Sequence, residues 1–333
     1  MLASAPKNLN GQSWLFVGGA GYIGSHVVEI FMKAGVECVV IDDLSLGNKE
    51  RLTNDTLLIT EDCADTDQIL PLLSNFQFHG IVHLAGLKQA RESIKFPLKY
   101  WDSNLSSLIG SLRLREILNI PNFIFSSSCS VYGSAGNVED STPLNPVSTY
   151  GQTKKTSEEI IKNISNLQSF NYGFLRYFNV IGASDFPNSC DDSEECLVPN
   201  ISRRILRGES ITIFGNDFST PDKTAMRDYI DVRDIAMAHL FGANALVNND
   251  VNWIVNVSTG KPISVLEICM TLKEESELDF KINYSGRVLG DPESIWAEPS
   301  KKLANWGWKQ KFSLRDSVSS HWRNFILNQQ LHH

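Results

Sequence analysis

One stretch decides the fold: Ser13-Trp14-Leu15-Phe16-Val17, followed at once by Gly18-Gly19-Ala20-Gly21-Tyr22-Ile23-Gly24. The first five residues form a short apolar run that reads as a buried strand. Behind the glycines, Ile23, Val27, Val28, Ile30 and Phe31 recur at helical spacing. A second strand, Glu37 to Ile41, comes next, and Asp42 closes it eighteen residues after Gly24. Glycines at 18, 21 and 24 let a backbone turn approach a pyrophosphate, whose charge a helix N-terminus favours. The Asp42 carboxylate suits the ribose hydroxyls of an adenosine and repels a 2′-phosphate. The reading is therefore NAD rather than NADP, held by Gly18, Gly21, Tyr22, Ile23, Gly24 and Asp42. Asp43 beside it is either a further ribose contact or a solvated side chain.

Outward from this unit the alternation continues. Strands read at Leu57–Thr60, Gly80–Leu84, Asn122–Ser126 and Tyr172–Leu175, with helices between them. Such a rhythm predicts an α/β fold, a doubly wound (Rossmann) parallel sheet. Beyond about residue 180 it breaks into loops and shorter elements. The expected division is a cofactor domain over 12–180 and a smaller α/β cap over 181–330, with some segments returning to the first domain. Asn188 to Glu195, rich in Asp, Glu and Ser, reads as an exposed loop.

The 333 residues are 42% hydrophobic and carry a net charge of −8. That is ample material for a buried core and gives no general nucleic-acid surface. No apolar run approaches the roughly 20 residues of a membrane helix. Met1 to Gln12 is polar and loop-like, unlike a secretory signal. Six scattered cysteines suggest neither a metal site nor a disulfide framework, and reduced thiols in a cytoplasmic setting are expected.

The chemistry concentrates at Ser126-Ser127-Ser128, after the apolar strand, and at Tyr150-Gly151-Gln152-Thr153-Lys154, which opens a helical segment. Tyr150 and Lys154 are four apart and share one helix face. Tyrosine ionises near pH ~10. A nearby ammonium and an oxidised nicotinamide both favour phenolate, bringing Tyr150 towards useful base strength. Ser128 at the strand end suits a hydrogen bond to both the phenol and a substrate hydroxyl.

In this order along the chain, these motifs resemble the UDP-galactose 4-epimerases of the extended short-chain dehydrogenase/reductase family. The resemblance rests on residues 18–26, Ala85-Gly86-Leu87-Lys88, Phe123-Ile124-Phe125-Ser126-Ser127-Ser128 and Val131-Tyr132-Gly133. It continues through Tyr150 and Lys154, Leu175-Arg176-Tyr177-Phe178-Asn179, Ile213-Phe214-Gly215-Asn216-Asp217 and Arg227-Asp228-Tyr229-Ile230. It implies epimerisation at C4 of a nucleotide-linked hexose, UDP-glucose and UDP-galactose or their N-acetyl analogues, through a 4-keto sugar. It also implies a tightly held NAD and a homodimer. By the same matching, Asp62, Cys63, Leu84, Ala85, Gly86, Lys88, Asn104, Ser126, Tyr150, Lys154 and Tyr177 line the cofactor. Lys88, Ser128, Tyr150, Phe178, Asn179, Phe214, Arg227, Arg287, Asp291 and Ile295 face the nucleotide sugar, Ile295 at the position resembling a size gate beside the hexose.

The sequence departs from the resemblance in its second half. Cys196 stands where asparagine is usual, Val288 where an arginine reaches the diphosphate, and Lys223 where glycine is usual. Arg227 remains as a forked cation suited to a diphosphate, with Arg287 or Lys223 as candidates for a second charge. Cys129-Ser130 after Ser128 lacks the acid that a 4,6-dehydratase needs. Another NAD-dependent epimerase or decarboxylase of the same family, or a silent NAD-binding protein, are the rival readings; the last has no need of Ser128, Tyr150 and Lys154 together.

Overall fold

The computed structural model describes residues 6, 8–288 and 292–331. Its centre is a seven-stranded sheet in the order Trp253–Val257, Asn171–Tyr177, Asn122–Ser128, Phe78–His83, Ser13–Val17, Glu37–Ile41, Leu57–Ile59. Every pairing within it is parallel. The apolar runs have the composition of strands covered on both faces. Phe16 and Val40 pack one way, with Val27, Phe31 and Ile235. Leu15, Val17 and Ile81 pack the other way, with Leu108, Phe123 and Ile161. The strand order reverses at Ser13–Val17, between Phe78–His83 and Glu37–Ile41, and ligands of open sheets bind at such a switch point.

Two expectations about this body change. The serine strand runs through Ser128 rather than ending near Ser126, because Ser127 and Ser128 stay in register with Arg176 and Tyr177. Trp306 and Trp308, which fall within the 181–330 stretch read mainly as cap, pack instead on the core of the large sheet. Trp306 meets Trp253 edge to face at 5.1 Å, and the buried Trp308 indole donates to the Asp234 carbonyl at 3.0 Å.

The cap is organised around the strand Met226–Asp231. It pairs with Asn179–Ile181, Pro262–Ser264 and Ser294–Ala297, so that Arg227 lies opposite Ile295. A separate pair, Ile211–Phe214 with Ile282–Ser285, completes it. Helices Leu197–Leu206, Val265–Ser276 and Leu314–Leu331 bury Val198, Ile201, Ile205, Ile268, Leu272 and Trp322 against these strands. The stretch 188–195 is only in part the exposed loop its composition suggests: Asp192, Glu194 and Glu195 are exposed, but Asn188, Ser189, Cys190 and Asp191 are buried. Buried backbone must find partners, and here they are side chains. Asn328 accepts from the Asn188 amide and Asn324 from that of Cys190, both at 2.9 Å, while Arg51 donates to the Asn188 carbonyl at 2.7 Å.

Candidate active site

The glycine turn is built for close approach. Gly18 adopts φ +80°, and a side chain there would come within 2.5 Å of the Ala85 amide nitrogen. At Gly24 a side chain would meet the Gly18 carbonyl at 2.2 Å. Gly21 caps the helix Tyr22–Lys33 without any side-chain hydrogen bond to its first turn, which leaves those amides for an anion. Asp42 is buried beside the turn and accepts from the Ala20 amide at 2.9 Å and the Leu44 amide at 3.0 Å. Burial raises its pKa, and these two donors oppose the rise. The turn and its carboxylate fit a dinucleotide without a 2′-phosphate.

Other expected cofactor residues surround the same crevice. Asn104, buried, accepts from the Leu87 amide at 2.7 Å and donates to Thr153, tying the loop after Phe78–His83 to the helix of Tyr150. Cys63 is buried, with its thiol 3.2 Å from the Ser111 hydroxyl and pushed up to about 12 by burial. Leu84 and Ala85 reach the turn itself, their amides donating to the Val17 carbonyl. Gly86 packs against Asn104. Asp43 and Asp62 are exposed and accept from the nearby Ser45 and Ala64 amides.

Ser128, Tyr150 and Lys154 converge at the carboxyl end of Asn122–Ser128. Ser148 caps the helix Thr149–Gln168, accepting from the Gly151 amide at 3.1 Å, so Tyr150 sits in its first turn. The helix is pinned further along by a buried pair. Glu158 takes the Arg176 guanidinium at 2.5 and 2.8 Å and the Ser127 hydroxyl at 2.7 Å. Lys154 donates to the Ser126 carbonyl at 2.8 Å and lies 6.0 Å from the Tyr150 ring centroid. Burial brings its ammonium down to about 8, with Glu158 opposing. The Tyr150 phenol is pushed up to about 12 by burial, against a Ser128 hydrogen bond and the Lys88 charge. Desolvation outweighs these protein groups, and the expectation from the sequence rests on an oxidised nicotinamide as well as an ammonium to favour the phenolate. The Ser126 hydroxyl bonds His239 at 3.1 Å, and the Tyr177 ring centroid lies 6.1 Å from that of His239.

Across the crevice the cap supplies Phe178 and Ile295, buried together with Cys129 under the serine strand end. Asn179 begins the strand paired to Tyr229. Phe214 is 43% exposed, with the Arg91 guanidinium 5.7 Å from its ring centroid. Arg227 donates to the Met226 carbonyl at 2.7 Å and lowers the pKa of neighbouring Cys129, whose thiol burial nonetheless holds at about 12. Arg287 is engaged elsewhere: it bridges to Asp217 at 2.7 Å and stacks 4.2 Å over Phe218. Lys223 is exposed at φ +65°, a left-handed turn that favours glycine and accounts for glycine being usual there. Asp291 lies outside the described residues.

Several neighbours escaped the sequence reading. Asp191 is one: it is buried and accepts at 2.9 Å from Lys88, itself expected at the crevice and 5.6 Å from the Tyr22 ring centroid. Gln89 reaches Ser193 at 2.8 Å and the Cys196 thiol at 3.8 Å. Ser93 accepts from the Tyr150 amide at 3.0 Å. The acidic composition of 188–195 hid the first two contacts, and nothing local signals the third.

The model of the NAD dependent epimerase/dehydratase family matches residues 14–258, most of the chain. The chain belongs to this family. A UDP-glucose 4-epimerase of Lactobacillus helveticus is 33% identical to it over 315 residues, 93% of this chain and 96% of that one. A solved UDP-glucose 4-epimerase of Bifidobacterium longum, in complex with NAD+ and UDP, is similar with a TM-score of 0.84 at 26% identity, covering 95% and 99% of the two chains. The UDP-Glc/GlcNAc 4-epimerase of Campylobacter jejuni gives 0.83 at 31% identity, covering 95% and 100%. NAD is the cofactor of this family, and the glycine turn with Asp42 is the part of this chain that fits it.

Proposed function

We propose that the chain interconverts the C4 epimers of a UDP-linked hexose, UDP-glucose and UDP-galactose first, with the N-acetylated pair as the alternative. The observation that carries this is the convergence of Ser128, Tyr150 and Lys154, all buried, at the carboxyl end of an NAD-type sheet, with the Lys154 ammonium 6.0 Å from the Tyr150 ring centroid. Tyr150 takes the proton of the sugar 4-hydroxyl, and Ser128 shares it. Bound NAD would take the hydride from C4 and return it to the other face of the turned sugar, and its positive charge would favour the phenolate. The dry setting of Tyr150 keeps the 4-keto sugar from water, and the same phenol returns the proton after the sugar has turned over. Phe214, Asn179 and Arg227 hold the nucleotide and its diphosphate, while Ile295 and Phe178 bound the hexose. Cys129 follows Ser128 where elimination would need an acid.

The homodimer implied by the resemblance and a cytoplasmic setting belong to the same proposal; six free cysteines, five of them buried, suit a reducing compartment. The test is a proton NMR time course of the purified protein with UDP-glucose and with UDP-N-acetylglucosamine. Conversion of the first to UDP-galactose is expected. Conversion of the second alone would reassign the hexose, and conversion of neither would overturn the reading.

A further inference from the structure

The segment that links the strand Asn179–Ile181 to the helix Leu197–Leu206 touches the loops at the carboxyl ends of three strands of the large sheet. The Gly182 carbonyl accepts from the Tyr22 hydroxyl at 2.8 Å, in the first turn behind the glycines. Arg51, buried in the loop after Glu37–Ile41, donates to the Asn188 carbonyl at 2.7 Å, the Cys190 carbonyl at 3.4 Å and the Asp192 carboxylate at 3.2 Å. Glu50 beside it accepts from the Asn188 side-chain amide at 2.8 Å. On the loop after Phe78–His83, Lys88 reaches Asp191 at 2.9 Å and Gln89 reaches Ser193 at 2.8 Å. Phe78–His83 and Glu37–Ile41 are the two neighbours of Ser13–Val17 in the sheet. Residues 188–193 therefore reach from one flank of the glycine turn to the other. The Arg51 loop is itself fixed to that turn, the Asn48 amide donating to the Ala20 carbonyl at 3.0 Å. Asn324 and Asn328 hold the same residues from the far side.

We propose that residues 188–193 are a strap across the dinucleotide crevice, and that Arg51 is the positioning residue that keeps it closed over bound NAD. The proposal rests on the reading of the glycine turn as the NAD cradle. A dinucleotide laid along the carboxyl ends of the strands runs from the Asp42 side of that turn to the Tyr150 side. The anchors of the strap stand on the same two sides, Arg51 on the first and Lys88 with Gln89 on the second. Release of the cofactor then requires the strap to lift from at least one of them. Arg51 is the stronger anchor, because its guanidinium serves two backbone carbonyls and a carboxylate, and such charge-assisted bonds exceed neutral ones. Lifting it leaves the buried carbonyls of Asn188 and Cys190 without this donor. The Gln89–Ser193 contact is neutral and gives way more easily. An epimerisation returns its hydride to the same sugar, so a closed strap is compatible with repeated turnover.

The experiment loads the whole protein with isotopically heavy NAD, adds a large excess of ordinary NAD, and follows the bound label by mass spectrometry. It compares wild type, Arg51→Met, Gln89→Ala and Arg115→Met, with a thermal melt of each. Arg115 is the control: also buried, it donates to the Ile120 carbonyl at 3.0 Å and to Gln168 at 2.8 Å, at the amino end of the strand Asn122–Ser128. Arg51→Met should release NAD roughly tenfold faster than wild type, from the loss of charge-assisted hydrogen bonds. Gln89→Ala should release it about threefold faster, as suits a neutral bond. Arg115→Met should keep the wild-type rate even where its melting point falls. Unchanged release from Arg51→Met overturns the proposal, as does release from Arg115→Met as fast as from Arg51→Met. Should Arg51→Met fail to fold, unchanged release from Gln89→Ala overturns it equally. A wild type that takes up no NAD strikes the cradle reading itself, a result separate from any of these.

Discussion

The cofactor side and the sugar-nucleotide side of the crevice are built on different principles. At the glycine turn the determinants are backbone: the dinucleotide cradle proposed for residues 18–24 and the adjoining Asp42 lies within one strand-turn-helix-strand unit. On the cap side they are side chains delivered from distant segments. Lys88 meets Asp191, Arg91 meets Phe214, and Arg287 is spent on Asp217. A backbone cradle tolerates little change, because an added Cβ collides with main chain. A side-chain site can trade one cation for another, and the cap carries the departures at Cys196, Lys223 and Val288.

The largest effect is expected at the join between the two sides. Tyr150→Phe should lower turnover by about two to four orders of magnitude while NAD stays bound, since it removes a proton acceptor and no cofactor contact that binding requires. Activity within tenfold of wild type in a steady-state assay would remove Tyr150 from the chemistry. Next comes the diphosphate. Arg227→Ala should weaken UDP binding by roughly one to two orders in calorimetric titration, the worth of a charge-assisted contact. Arg287→Ala should cost less than about threefold, because its ion pair with Asp217 is solvent-exposed. Equal losses would mean that the cap takes its second cation from Arg287 after all. Val288→Arg should tighten UDP.

On the cofactor side, Asp42→Ala should weaken NAD roughly tenfold and allow NADP to compete, since it removes a carboxylate that both binds ribose hydroxyls and repels phosphate. Unchanged discrimination between the two would contradict the role given to Asp42. The last effect is on stability rather than turnover or binding and concerns the seam near Trp308. Asp234 accepts from the Lys311 and Phe312 amides, and burial pushes its carboxyl up to about 7. A raised folded-state pKa contributes stability below pH ~4 that is lost as pH rises through about 7. Urea midpoints should therefore decline across that window in wild type and flatten in Asp234→Asn.

The same contrast explains what the sequence could convey. Strand-helix alternation, the glycine turn, Asp42, and the Tyr150/Lys154 spacing were legible because each is local, set by periods of two or 3.6 residues or by one turn. The burial of 188–191 was not, because its polar backbone is satisfied by Arg51, Asn324 and Asn328, more than a hundred residues away along the chain. Lys88 was placed by resemblance, but its partner Asp191 lay in a segment whose composition argues for solvent. Trp306 and Trp308 sit late in the sequence yet close the edge of the large sheet, because Trp253–Val257 returns to it from the cap half.

The central claim, reversible oxidation at C4 within one closed crevice, is tested most directly with UDP-glucose carrying deuterium at C4. Wild-type protein in ordinary water should give UDP-galactose that keeps the deuterium at C4, read by mass spectrometry and proton NMR. Loss of the label to solvent, or a product changed at another carbon, would contradict it.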